Sequence, residues 1–172
     1  LRMLEVGALG FDPNLLPLPD REAVLAEISP PSSRRIFAIA RAFVLGFTVE
    51  EVAQATAIDR FFLHELYALH TLRTELADRA LDSLDETLLR TAKQAGFSDL
   101  QLAKQAGGGL TADSVRERRL QLGITPKLRQ IDTLAAEYPA QTNYLYLTYH
   151  ADAHDVTPSP NKKLLLLGSG CY

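Results

Sequence analysis

From Ile36 to Gly123 each apolar stretch of this chain carries its own start and stop signal, and that punctuation leaves room for little except short helices. Ile36, Ile39, Ala40, Phe43 and Val44 fall at i, i+3, i+4, i+7 and i+8, the buried stripe of an amphipathic helix. Ser32 or Ser33 is placed to cap its start, and Gly46 stands where a left-handed C-terminal residue belongs. Thr48-Val49-Glu50-Glu51 is a capping box that opens a helix through about Ala55. Asp59 caps the longest helix, whose expected buried side is Phe62, Leu66, Leu69 and Leu76. Ser83-Leu84-Asp85-Glu86 reads as a second capping box, with Leu84, Leu88, Ala92 and Ala95 at helical spacing and a stop at Gly96. Ser98 to Gln101 forms a third, stopping at Gly107, and Thr111 opens a helix that reaches Leu122 and ends at Gly123. The expected fold is all-α: a compact bundle of about six to eight short helices with an extended C-terminal segment.

A weak internal repeat runs through this pattern. Gly46-Phe47-Thr48 with Val52-Ala53 matches Gly96-Phe97-Ser98 with Leu102-Ala103 at an offset of 50 residues. In each copy a helix stops at glycine, an aromatic residue drops into the core and a hydroxyl caps the next helix. Two copies are too few for a solenoid, so they read as two helical hairpins packed together. After Gly123 the character changes. Pro126, Pro139 and the run Tyr144-Leu145-Tyr146-Leu147-Thr148-Tyr149 favour extended chain, and the polar stretch from Asp152 to Asn161 with its prolines reads as a linker.

Composition excludes several classes. A chain of 172 residues, 47% hydrophobic and 23% charged, is globular rather than disordered. Its net charge of −3 draws it toward neither nucleic acid nor an anionic membrane. The single cysteine, Cys171, rules out an internal disulfide framework. No apolar run approaches the ~20 residues of a membrane span, and no signal peptide is visible. These features point to a cytoplasmic protein. Both ends look cut: residues 1–7 read as the last turns of a helix, and Leu164 to Leu167 as the start of a buried strand.

Three chemical readings compete with a structural one. The first is a helix-turn-helix over Leu100 to Leu122, with Arg116, Arg118, Arg119, Lys127 and Arg129 as its basic face. The second is a metal cluster of His150, Asp152, His154 and Asp155, in a segment that reads as solvated loop. The third is a phosphate-binding turn at Gly168-Ser169-Gly170, where the chain stops before a helix could follow. His64 and His70 diverge on one helix, and Glu50-Glu51 suits a helix dipole without a catalytic role.

The segment Ile131-Asp132-Thr133-Leu134-Ala135-Ala136-Glu137-Tyr138, followed by Tyr144 to Tyr149, resembles the close of the oligomerisation domain of carbamoyl-phosphate synthetase large subunits. Leu4 to Asp12, Ile58-Asp59-Arg60-Phe61-Phe62-Leu63, Gly96-Phe97-Ser98-Asp99 with Leu102-Ala103, and Asn161-Lys162-Lys163 through Gly170 extend the resemblance in order along nearly the whole chain. Leu134 stands where many relatives have cysteine, and Gly-Ser-Gly-Cys-Tyr where three glycines and a proline are usual.

The resemblance implies a division into residues 1–19, the tail of a preceding ATP-grasp unit; 20–155, the helical oligomerisation domain; and 156–172, a linker and the first strand of the following synthetase unit. It implies Asp132, Thr133, Ala135, Ala136, Glu137, Tyr144, Tyr146 and Tyr149 as structural signature residues, with no catalytic, cofactor or metal residue in this segment. The implied parent is an ATP-dependent ligase that makes carbamoyl phosphate from bicarbonate, glutamine-derived ammonia and two ATP, for arginine and pyrimidine synthesis. ATP and Mg or Mn would be bound elsewhere in that parent. The implied partners are a second copy of the chain, the two flanking ATP-grasp units and the glutaminase small subunit, with no nucleic acid and no membrane. Phe37, Phe43, Phe47, Phe61 and Phe62 are the expected pool for an association surface.

Overall fold

The computed structural model describes residues 6–139, 144–157, 159–162 and 164. The chain divides into two compact units, the first ending at Ile124 and the second beginning at Thr125.

Among the described residues the first unit holds seven α-helices: α1 (Arg21–Ile28), α2 (Arg35–Val44), α3 (Val49–Thr56), α4 (Arg60–Glu75), α5 (Glu86–Gln94), α6 (Asp99–Ala106) and α7 (Ala112–Gln121). The expected all-α class is what the chain forms. The caps explain the element boundaries. Thr48 and Ser98 make full capping boxes with Glu51 and Gln101, and Thr111 makes one with Ser114. Asp20 and Asp59 cap α1 and α4 by accepting the backbone N–H groups of Ala23 and Phe61.

Two expected caps are corrected. Leu81–Ser83 closes a 3-10 turn, and Asp85 caps α5 by accepting the Leu88 N–H at 2.8 Å. The aspartate wins because it alone has extended backbone one residue before the helix. At α2 the Ser32 hydroxyl reaches only the Arg34 N–H, and no side chain caps the helix.

The helices stop on a recurring turn. Gly46 and Gly96 sit at φ +76 and +88, and the following N–H groups of Phe47 and Phe97 donate back to Ala42 and Ala92 at 3.0 and 2.9 Å. This closes a Schellman motif that satisfies the last carbonyls. A third copy occurs at the end of α7, where the Ile124 N–H donates to Arg119 at 2.8 Å and Ile124 is fully buried. Phe47 is buried, whereas Phe97 is only half-buried and lines a cleft, so the aromatic residue reaches the core in one copy and not in the other.

One core cluster joins α1, α2 and α3 with Leu63 of α4 and the N-terminal residues Ala8 and Leu16. Further buried residues come from the end of α4 through α7, among them Leu76, Leu84, Leu89, Leu102 and Val115. The inward stripe of α4 is Leu63, Leu72 and then Leu76 at its C-cap, with Leu66 and Leu69 half-buried. Phe62, expected on that side, faces out instead. The N-terminal segment is held by Gln101, whose side-chain amide donates to the Leu9 carbonyl at 2.6 Å. Gly10 is required there: its φ is +76, and an added Cβ would overlap the Gln101 amide nitrogen.

The second unit contains a two-stranded antiparallel ribbon, β1 (Lys127–Ile131) and β2 (Tyr144–Thr148), in the register Lys127 opposite Thr148 through Ile131 opposite Tyr144. None of its described residues is buried.

Candidate association surfaces

The expected aromatic pool splits once the helices are in place. Phe37, Phe43 and Phe47 are core residues, each about 2–3% exposed, which removes them from any surface. The α2 stripe that singled out Phe43 is a packing stripe: its ring meets Tyr67 edge-on at 5.1 Å. Phe61 and Phe62, at the start of α4, are 64% and 61% exposed and touch each other in a T-shaped pair at 5.3 Å.

The signature residues form a loop and a strand. Asp132 accepts the N–H groups of Leu134 and Ala136 at 2.9 and 2.6 Å, folding the chain back on itself. Ala135 and Ala136 are held at φ +53 and +60, a left-handed conformation that non-glycine residues seldom adopt. Thr133 and Glu137 lie exposed in this loop, and the Glu137 N–H donates to Leu134 at 3.0 Å. Tyr144 and Tyr146 are exposed on β2, while Tyr149 is half-buried.

The rival chemical readings lose their residues to structure. Arg118 donates to the carbonyls of Leu84 and Asp82, and Arg119 to Asp99 and the Ile124 carbonyl. Two of the five basic residues expected on a nucleic-acid face are therefore spent inside the helical unit. His154 and Asp155 are brackets on β1. The Leu128 N–H donates to His154 Nδ1 at 2.9 Å, the Gln130 N–H to Asp155 at 3.0 Å, and the Asp155 N–H to the Leu128 carbonyl at 3.2 Å. They read as solvated loop residues in sequence because the contact depends on a strand register that no local pattern announces. Among the described residues no group of three or more His, Cys, Asp or Glu could hold a metal ion, and no helix is long and apolar enough to cross a membrane. Gly168-Ser169-Gly170 and Cys171 lie outside the described residues.

Sequence reasoning also missed the charged node behind the Gly96 turn. Lys93 Nζ donates to the Phe97 carbonyl at 2.7 Å and to Asp99 at 2.9 Å, and Arg119 Nε meets the same carboxylate at 3.0 Å. The three side chains are only 8–16% exposed. The equivalent turn at Gly46 is served from outside. Arg21 stacks on the Phe47 ring at 3.7 Å and pairs with Glu51. The Thr48 backbone N–H holds the Glu51 carboxyl below its ordinary pKa, with Arg21 assisting. Beside Phe43 and Tyr67, burial lowers the pKa of His70, and Arg73 lowers it further.

The chain is thus a helical unit with an exposed aromatic pair, followed in sequence by a ribbon with no buried residue among those described. Residues 1–123 match the family model described as carbamoyl-phosphate synthetase large chain, oligomerisation domain, and the match stops one residue short of the end of the helical unit. The chain is 41% identical over its whole length to the mitochondrial carbamoyl-phosphate synthase [ammonia] of Mus musculus, of which it covers 12%. It is 43% identical over 87% of its length to the multifunctional protein pyrABCN of Emericella nidulans, covering 6% of that protein. It is also 39% identical over its whole length to the arginine-specific large chain of carbamoyl phosphate synthase from Cutaneotrichosporon cutaneum, covering 14% of it. The chain therefore belongs to the carbamoyl-phosphate synthetase large-chain family and carries its oligomerisation domain. It spans less than a sixth of each of these relatives.

Proposed function

We propose that this segment is a non-catalytic connector. It holds the two ATP-grasp halves of a carbamoyl-phosphate synthase large chain at a fixed separation and provides a surface through which copies of that chain associate. The family match and the small share of each relative that the chain spans support the connector role. The exposed Phe61–Phe62 pair is the observation that carries the association role, because two large rings left in water on a well-capped helix gain free energy by being covered. On this reading the parent makes carbamoyl phosphate from bicarbonate, glutamine-derived ammonia and two ATP. The names of its relatives point to both arginine and pyrimidine synthesis. ATP with Mg or Mn, and the glutaminase small subunit, engage the parent outside this segment.

Light scattering on a sizing column, across a wide range of protein concentration, tests the reading. The chain is expected to exceed its monomer mass of 19.0 kDa as concentration rises, and Phe61→Asp with Phe62→Asp to reduce that association. A monomer at every concentration would leave the connector role alone, with self-association residing elsewhere in the parent.

A further inference from the structure

We propose that the N-terminus of α6 bridges the N-terminal segment and the last residue of the helical unit, so that the position of one fixes the other, with Gln101 and Arg119 as positioning residues at its two ends. This deepens the connector reading above, and its use in a parent chain rests on that reading.

One end of the bridge is Gln101. Its side-chain oxygen accepts the Ser98 N–H at 2.9 Å and the Ser98 hydroxyl accepts the Gln101 N–H at 3.1 Å, which completes the capping box of α6. The box needs only an acceptor at this position, and Glu51 supplies it in the equivalent box of α3. Glutamine adds a donor that the box does not use. That donor goes to the Leu9 carbonyl, 92 residues away in sequence. Leu9 lies between Ala8, which is in the core, and Gly10, whose missing side chain admits the Gln101 amide. One side chain therefore holds both the helix end and the N-terminal segment, and neither can shift without the other.

The other end is Arg119. Asp99, the first residue of α6, takes its Nε on both carboxylate oxygens, at 3.1 and 3.0 Å. Nη1 of the same guanidinium donates to the Ile124 carbonyl at 3.2 Å, while the Ile124 N–H donates to the Arg119 carbonyl at 2.8 Å. Ile124 closes the helical unit. The path from Leu9 through Gln101, Ser98, Asp99 and Arg119 to Ile124 is continuous. Its charged middle, braced by Lys93, is shielded from water, so its contacts are strong and directional. At the α3 box, by contrast, Glu51 pairs with Arg21 in contact with solvent.

Two substitutions cut the bridge at opposite ends. Gln101→Glu keeps the acceptor of the capping box and removes only the donor to Leu9. Arg119→Lys keeps a cation beside Asp99 and removes the planar fork that reaches Ile124. Amide exchange in the chain reads each end, at Asp12, whose N–H donates to the Gly10 carbonyl, and at Ile124, while the Leu102 amide shows that α6 is intact. Thr48→Ala, which loses the α3 cap, supplies a destabilised control. Gln101→Glu is expected to speed exchange at Ile124 about tenfold, Arg119→Lys to do so at Asp12, and the double variant to fall short of the product of the two at each amide. Thr48→Ala should leave both amides at wild-type rates. If Gln101→Glu frees Asp12 but not Ile124, if Arg119→Lys frees Ile124 but not Asp12, or if Thr48→Ala reproduces both effects, the ends are held separately and the bridge is overturned. With the bridge upheld in the chain, an unchanged rate of carbamoyl phosphate synthesis in a Gln101→Glu parent overturns the connector reading instead.

Discussion

Asp99 in the helical unit and Asp155 in the ribbon unit each hold an arginine at 3.0 Å and each accept further hydrogen bonds, yet they differ in what surrounds them. The Asp99 pair is 11% and 16% exposed, and Lys93 closes on it from the other side. The Asp155 pair is 40% and 33% exposed, with no buried residue among the described neighbours in its unit. Equal geometry therefore does not carry equal energy, because burial differs. The helical unit holds its charged node inside a packed core, and the ribbon holds its own in contact with solvent.

Removing each carboxylate is the sharpest way to break that comparison. Asp99→Ala leaves Lys93 and Arg119 buried without their partner, a change that costs about 3–5 kcal/mol, and urea denaturation should show the helical unit losing most of its stability. Next in size is Gly10→Ala, expected to cost about 1–3 kcal/mol, because it forces a left-handed alanine and pushes Gln101 off the Leu9 carbonyl. Asp155→Ala should leave the helical melting curve unchanged within about 0.5 kcal/mol while speeding exchange of the Gln130 amide. Glu51→Gln, at the exposed counterpart of the Asp99 node, is expected to cost far less than Asp99→Ala in the same urea denaturation. If Glu51→Gln and Asp99→Ala proved equal, burial would not be what separates the two turns.

The smallest effect concerns pH. Burial lowers the His70 pKa, so the unfolded chain takes up a proton at its ordinary value before the folded one does. The resulting stability is present above the ordinary histidine range and is lost as pH falls through the lowered folded value. His70→Asn should flatten the decline in melting temperature between pH 7 and pH 5. An unchanged slope would assign that decline to carboxylates.

The same contrast separates what was legible in the sequence from what was not. Short-range chemistry was readable: the boxes at Thr48 and Ser98 and the stops at Gly46 and Gly96 form as expected, because each is decided within four or five residues. Ser83 was misread because Asp85, two residues on, is the better-placed cap. The aromatic pool was only partly readable, since an apolar stripe does not say which member faces inward: Phe37, Phe43 and Phe47 went to the core and Phe61 and Phe62 to the surface. The Asp99 node draws on positions 93, 99 and 119, and the β1 brackets on a register spanning more than 20 residues, so neither leaves a local signature.

Hydrogen exchange tests the division between a helical unit with a packed core and a ribbon with no buried residue among those described. The amides of Phe97, Leu102 and Ile124, each bonded to a backbone carbonyl in the helical unit, should exchange slowly, whereas those of Leu145 and Leu147 should exchange freely. Leu145 and Leu147 amides as slow as the helical ones would contradict the account.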